Sequence, residues 1–195
     1  MAKFAYAVLH DGKGRFLLGT KNETGFFFSG GGGEVYKGGI DLKEKKCGGK
    51  RALPGGAINA GEATKVAAMR EFTEETGISL AGCTAQEKEW AGQAYGAGYF
   101  GTAPANFDKL LKEVKESLGR GRQAAKEIAD GKIKTYADLR KKYPSIAKDD
   151  EIMVVEPWDV RKQWITIKSW EKTDPNCLGW FVPILEHLKD NLSGS

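Results

Sequence analysis

The strongest local constraint in this chain is Ala63–Thr76, fourteen residues without glycine or proline in a region otherwise crowded with glycine. Gly77 follows at the place where a left-handed C-terminal cap is commonly needed, so the segment reads as one helix with a marked end. On that helix Glu71, Glu74 at i+3 and Glu75 at i+4 share a face. Two unit charges about 4 Å apart repel by roughly 4 kcal/mol at an effective dielectric near 20, so the cluster calls for a cation or water to relieve it. Hard divalent ions prefer oxygen ligands, and Mg²⁺ is typically held by a few carboxylates together with waters and substrate phosphates. Val66, Met69 and Phe72, with alanines between them, make the other face apolar and suited to packing on a sheet. Arg70 can pair with Glu74 or brace a neighbouring Glu.

Glycine accounts for 26 of 195 residues, close to twice the ~7% of an average soluble protein. There is no three-residue period, and 41% hydrophobic residues with nine Phe, six Tyr and five Trp leave enough apolar surface for a core, so collagen-like and disordered readings both fail. Twenty-one of the glycines lie between Gly12 and Gly101, which divides the chain into two styles.

The first part reads as strands and loops. Phe4–Leu9 and Arg15–Thr20 flank Asp11-Gly12-Lys13-Gly14, a hairpin composition. Residues 24–52, with Gly30–Gly33, Gly38-Gly39 and Gly48-Gly49, read as a long loop or two short strands around one. Trp90–Thr102 is a further strand candidate. Helical spacing then takes over at Asn106–Leu118, with shorter helices at Arg122–Ala129 and Thr135–Lys142. Glu151–Val155 is a short strand candidate and Gly179–Leu192 a closing helix. Strands before and after a helical block give an α+β class: one domain over 1–195 with a helical insertion at about 105–147.

The glycines and acids combine into a spacing. Gly56, five residues, Glu62, seven residues and then Arg70-Glu71-Phe72-Thr73-Glu74-Glu75-Thr76-Gly77-Ile78 resemble the Nudix box, G-x5-E-x7-R-E-U-x-E-E-x-G-U, at every specified position; Phe72 is a mild departure at the aliphatic site. The lead-in Leu53-Pro54-Gly55-Gly56, the strand residues Phe16-Leu17-Leu18 and Trp180-Phe181 with Pro183 are also similar to that family.

The resemblance implies an α/β/α sandwich with a mixed sheet and a pyrophosphohydrolase using Mg²⁺ or Mn²⁺. Its reaction would cleave a nucleoside diphosphate linked to another moiety, through attack of a metal-activated water on phosphorus. It places divalent metal on Glu71, Glu74 and Glu75, with the Gly55 carbonyl as a further ligand and Glu62 joining directly or through water. Arg70 orients the carboxylates. In many relatives the general base is a Glu outside the box; Glu151 is favoured here over Glu156, with Glu87 and Glu89 behind them. A nucleoside triphosphate, including an oxidised purine, is the favoured substrate, because Trp170, Asp174 and Trp180 look like a base-binding stretch of that subgroup. Tyr95 instead points toward dinucleoside polyphosphates, and a nucleotide sugar is a further alternative. A nucleotide-sensing or interaction module without turnover is the reading from another class.

Other signals are weaker. The GxGxxG spelling at Gly96–Gly101 does not open a helix in a βαβ unit, so it reads as close packing or bulges in a strand. Residues 1–104 carry 13 basic against 11 acidic side chains and 105–195 carry 17 against 15, which leaves no strong nucleic-acid footprint. No stretch approaches the ~20 apolar residues of a membrane span. Three cysteines, Cys47, Cys83 and Cys177, in no CxxC pair, suit a reducing compartment better than a disulfide framework, which gives a cytoplasmic expectation. The partner expected is a small nucleotide, with the chain a monomer or homodimer. Gly30–Gly33 suggest a mobile loop over the substrate.

Overall fold

The computed structural model describes residues 2–25, 28, 40–41 and 47–192. The Gly30–Gly33 and Gly38-Gly39 loop expectation therefore lies outside the described residues.

A hairpin opens the chain. Strand β1 (Phe4–His10) turns through Gly12 and Gly14, both at positive φ, into antiparallel β2 (Arg15–Lys21). Short strands β3 (Thr24–Gly25) and β4 (Ile40–Asp41) pair with each other in a separate small sheet. Next, β5 (Arg51–Ala52) pairs with β2, and β6 (Gly55–Ala57) pairs with the first half of β1. Helix α1 (Thr64–Thr76) follows. Strand β7 (Thr84–Glu89) lies antiparallel to β8 (Tyr95–Gly101), which runs parallel to β1 from Phe4↔Tyr95 to His10↔Gly101. After helices α2 (Pro104–Ala129) and α3 (Tyr136–Lys142), β9 (Ile152–Asp159) pairs antiparallel with β2. Helices α4 (Trp164–Thr173) and α5 (Val182–His187) close the chain, the second entered by a 3₁₀ turn at Gly179–Phe181 and continued as a wider π turn at Leu188–Leu192.

The seven-stranded sheet is thus mixed, and strand alternation splits its side chains between two cores. Ala5, Ala7, Leu9 and Leu17 pack with Ala67, Ala68 and Phe72 of α1 and with Phe107, Leu111 and Val114 of α2. Val8, Phe16, Leu18 and Tyr99 belong instead to a core with Ile167, Trp170, Ile184 and Leu185 of α4 and α5. Helices therefore cover both faces, the α+β layering anticipated from the sequence. A third cluster, with Phe28, Ala124, Ala125, Leu139 and Tyr143, lies under the second half of α2 and α3. Among the described residues no helix is long and apolar enough to cross a membrane.

Several elements differ from the sequence reading. The helices anticipated at Asn106–Leu118 and Arg122–Ala129 are one helix, because burial of Leu118, Ala124 and Ala125 outweighs the ~1 kcal/mol that each of Gly119 and Gly121 costs relative to Ala. Strand β7 and helix α4 were not anticipated, and β9 extends well past Val155. Val66 is exposed rather than packed on the sheet, which α1 meets through Ala67, Ala68 and Phe72. The GxGxxG glycines sit in a regularly paired strand, and a Cβ at Gly96 or Gly98 would fall 2.7 Å from Thr64 Cγ2 or 2.9 Å from Ala68 Cβ. They are close-packing positions that let α1 lie against β8.

One expectation is overturned. Cys47 and Cys177 form a disulfide, with Cα atoms 5.6 Å apart and a sequence separation of 130; Cys83 is free. Neither spacing nor odd number bears on a bridge between cysteines that only the tertiary fold brings together.

Candidate active site

Helix α1 starts without a cap from its own first residues: Ala63 is extended and has no side-chain group that could accept a hydrogen bond. The cap comes from edge strand β7, where Glu87 accepts from the Lys65 N–H at 2.9 Å and Glu89 from the Thr64 hydroxyl at 2.6 Å. Gly77 ends the helix at φ 75°, its N–H returning to the Thr73 carbonyl at 2.8 Å. Between these ends Glu71, Glu74 and Glu75 all line one cleft of about 420 Å³.

Two further carboxylates line it, Asp149 and Glu151, from the segment that leads into β9. That segment is fastened on both sides. The Lys148 N–H donates to the Glu74 carbonyl at 2.6 Å, and the Asn22 N–H, just past β2, donates to the Glu151 carbonyl at 2.8 Å. Two lysines add opposite charge to the lining: Lys21 pairs with Glu151, and Lys148 Nζ lies 3.1 Å from Glu74 Oε1. Phe4, exposed, and Tyr6, half-buried, supply the apolar part.

Arg70 fixes the box from behind. It donates to both oxygens of Glu62 at 3.0 and 2.9 Å, to Glu71 Oε1 at 2.7 Å and to the Ala57 carbonyl at 2.8 Å, with Glu74 Oε2 at 3.5 Å. Glu62 also accepts from the Asn59 N–H at 3.0 Å, and Arg70 holds its carboxyl below the usual range. Both Glu62 oxygens are thus engaged, and Glu62 does not line the cleft.

Two glycines allow the approach of backbone to carboxylate. A Cβ at Gly56 would stand 2.6 Å from the Glu71 carboxylate, and one at Gly55 would run into the Ala5 carbonyl and the Tyr6 ring.

The electrostatics are those of crowded, partly dried acids. Glu75 is buried, one oxygen 3.4 Å from the Gly55 N–H and the other without a hydrogen-bond partner among the described residues. Burial, and then the charges of Glu151 and Asp149, push its carboxyl well above the usual range against the pull of Lys21. Burial raises Glu71 as well, opposed by Arg70. Asp149 is pushed up to about 7, chiefly by burial, and Asp150 to about 6 for the same reason. Tyr6 is raised to about 12 by burial and by Glu75, Glu151 and Glu71.

An all-oxygen donor set around an orphaned buried carboxylate oxygen fits a hard divalent ion. No group of three such side chains already converges on one point among the described residues. Arg70, Lys148 and Lys21 hold oxygens of Glu71, Glu74 and Glu151.

The other sequence candidates fall elsewhere. Glu156 pairs with Arg51 at 3.2 Å, and Glu87 and Glu89 cap α1. Trp170 is buried between Trp158 and Phe181, so it is a core residue here, and Asp174 pairs with Lys50 at 3.0 Å. Trp180 stands against Tyr6 at 4.4 Å between ring centroids and against Tyr95 at 5.5 Å. None of Trp170, Asp174, Tyr95 and Trp180 lines the cleft, although Tyr6 links the last two to it. Sequence reasoning missed Lys21, Lys148, Asp149, Phe4 and Tyr6 as cleft residues. Of these only Asp149 carried a signal, its place in the acidic run with Glu151.

A MutT protein from Methanosarcina mazei Go1 is 26% identical over 50% of this chain and 59% of its own, with a TM-score of 0.30. A mutT/nudix family protein from Listeria innocua is 20% identical over 56% of this chain and 67% of its own, with a TM-score of 0.31. The chain thus matches less than two thirds of the Methanosarcina protein's length. No curated protein matches. The sequence model of the NUDIX domain matches residues 4–153, through β1, the whole of α1 and the cleft carboxylates to the start of β9, and the chain belongs to that family.

Proposed function

We propose that this chain is a divalent-metal-dependent pyrophosphohydrolase acting on nucleoside diphosphate derivatives, with a nucleoside triphosphate as the favoured substrate. The observation that carries the reading is the gathering of five carboxylates from α1 and the approach to β9 in one cleft with two lysines. Glu71, Glu74 and Glu75 would hold Mg²⁺ or Mn²⁺, with the Gly55 carbonyl, while Glu62 acts behind Arg70. Bound there, the ion supplies a water of lowered pKa and offsets charge on the leaving pyrophosphate.

The chain's own residues do the rest. Arg70 keeps the box carboxylates in a fixed shape through its bonds to Glu62 and Glu71. Glu151 is the candidate general base, held beside the cleft by the Asn22 N–H and by Lys21. Phe4 and Tyr6 offer aromatic surface for a base, with Trp180 and Tyr95 behind Tyr6. The packing of Trp170 and the pairing of Asp174 favour a nucleobase contact at Phe4 and Tyr6 rather than at Trp170 and Asp174.

The test is a panel of nucleoside triphosphates, dinucleoside polyphosphates and nucleotide sugars with Mg²⁺, products resolved by chromatography. Glu74→Gln is expected to lose at least ~10²-fold in rate, the scale seen when one charge-stabilising group is removed. No turnover of any compound, with micromolar nucleotide binding, would establish a sensing module instead.

A further inference from the structure

We propose that Lys21 and Lys148 are the internal counter-ions of the cleft, and that they pass from carboxylate to phosphate when a divalent ion and a pyrophosphate group enter. The proposal rests on the functional reading above and goes beyond it by giving both lysines two partners in succession.

The three cations around the cleft are held in two different ways. Arg70 spends its planar fork on Glu62, Glu71 and the Ala57 carbonyl, four hydrogen bonds that tie one loop to one helix. Among the described residues each lysine touches a single carboxylate oxygen: Lys21 meets Glu151 Oε1, and Lys148 meets Glu74 Oε1. A guanidinium engaged on several sides is a structural brace, whereas an ammonium on a flexible four-carbon stem is a point charge that can change partner. The Lys148 side chain is 49% exposed and that of Lys21 19%, so Lys148 is the freer of the two.

Among the described residues the cleft is also incompletely neutralised. Five carboxylates face two lysines there, and the second oxygen of buried Glu75 has no hydrogen-bond partner among the described residues. A divalent ion that uses Glu74 and Glu75 competes with Lys148 for Glu74. The released ammonium then lies beside the space a phosphate must occupy, having lost its 3.1 Å contact with Glu74. Lys21 holds Glu151, which is not among the proposed metal ligands, so the incoming phosphate rather than the ion competes for this lysine. While Lys21 holds Glu151 the candidate base is engaged, and the transfer of Lys21 to a phosphate oxygen frees that carboxylate as the substrate arrives.

Competition and hand-over predict opposite signs in two binding measurements, neither of which needs turnover. Metal-stripped protein is titrated with Mn²⁺ alone, followed by water-proton relaxation; inorganic pyrophosphate is then titrated at saturating Mn²⁺. Lys148→Met is expected to bind Mn²⁺ about 3-fold more tightly, the scale of a half-exposed ion pair; Lys21→Met, whose partner Glu151 is not a proposed ligand, is read in the pyrophosphate titration. Both variants should bind pyrophosphate about 10-fold more weakly. Lys168→Met, on exposed α4, should match the wild type in both titrations. Lys148→Met carries the test alone if Lys21→Met does not fold. Unchanged or weaker Mn²⁺ binding by folded Lys148→Met, or unimpaired pyrophosphate binding, overturns the proposal and leaves the functional reading standing. Failure of the wild type to bind Mn²⁺ at all overturns both.

Discussion

At the scale of single residues the cleft stores unfavourable charge, and Asp149 shows it in measurable form. Burial lifts its carboxyl to about 7, with Glu151, Glu74 and Asp150 adding to the rise and the Glu151 N–H, which Asp149 accepts at 3.1 Å, opposing it. An acid whose folded pKa lies above its unfolded value favours folding most below the unfolded pKa, near 4, and loses that contribution as pH rises through 7. Asparagine keeps the acceptor oxygen and removes the charge. Metal-free Asp149→Asn should therefore melt above the wild type at pH 8, by at least about 3 °C, a shift worth roughly 1 kcal/mol in a chain of this size. The gap should close as pH falls toward 4. A gap that does not change with pH, followed by circular dichroism melts across that range, would mean that the buried charge is not what the substitution relieves.

At the scale of elements, α2 tests how tertiary packing overrides local preference. Gly119 is an interior helical residue, and a Cβ there would meet nothing closer than Arg122 Nη2 at 4.0 Å. Gly119→Ala should stabilise the protein by about 1 kcal/mol, read as a rise of roughly 2–4 °C in Tm; a fall would mean that the helix needs the glycine for a bend. The same competition explains what could be read in advance. Helix α1 was legible because its glycine boundaries and its i, i+3, i+4 acids are local, and the hairpin of β1 and β2 for the same reason. Strand β7 was not, since all six of its side chains are exposed and no alternation marks it; its partners β8 and α1 define it. Helix α4 was hidden by Trp164-Ile165-Thr166-Ile167, aromatic and β-branched residues of modest helix propensity. In the site, Arg70 and the three box carboxylates belong to one segment and could be read together. Lys21 and Lys148 come from the end of β2 and the approach to β9, and nothing in their local sequence distinguishes them from surface lysines.

At the scale of the whole molecule, the Cys47–Cys177 bridge ties the chain just before β5 to the turn after α4. The Lys50–Asp174 ion pair at 3.0 Å lies in the same junction. From there the contacts run inward: the Trp180 indole N–H donates to the Cys177 carbonyl at 3.1 Å, and the Trp180 ring meets Tyr6, which lines the cleft. Closing a loop of 130 residues removes unfolded-state entropy worth up to about 5 kcal/mol, a ceiling that native strain and residual unfolded structure lower. Reduction should therefore lower Tm by several degrees, with Cys47→Ser and Cys177→Ser melting alike, near the reduced wild type and indifferent to dithiothreitol. The cytoplasmic expectation and the bridge make opposite predictions about the protein in its own compartment. Thiols trapped by acid quench and alkylation before purification should number one, Cys83 alone, where the bridge forms, and three where glutathione and thioredoxin keep it open. A count of three, together with a Tm that oxidation afterwards raises, would make the staple a property of the isolated protein and leave this junction to noncovalent contacts such as the Lys50–Asp174 pair and those of Trp180.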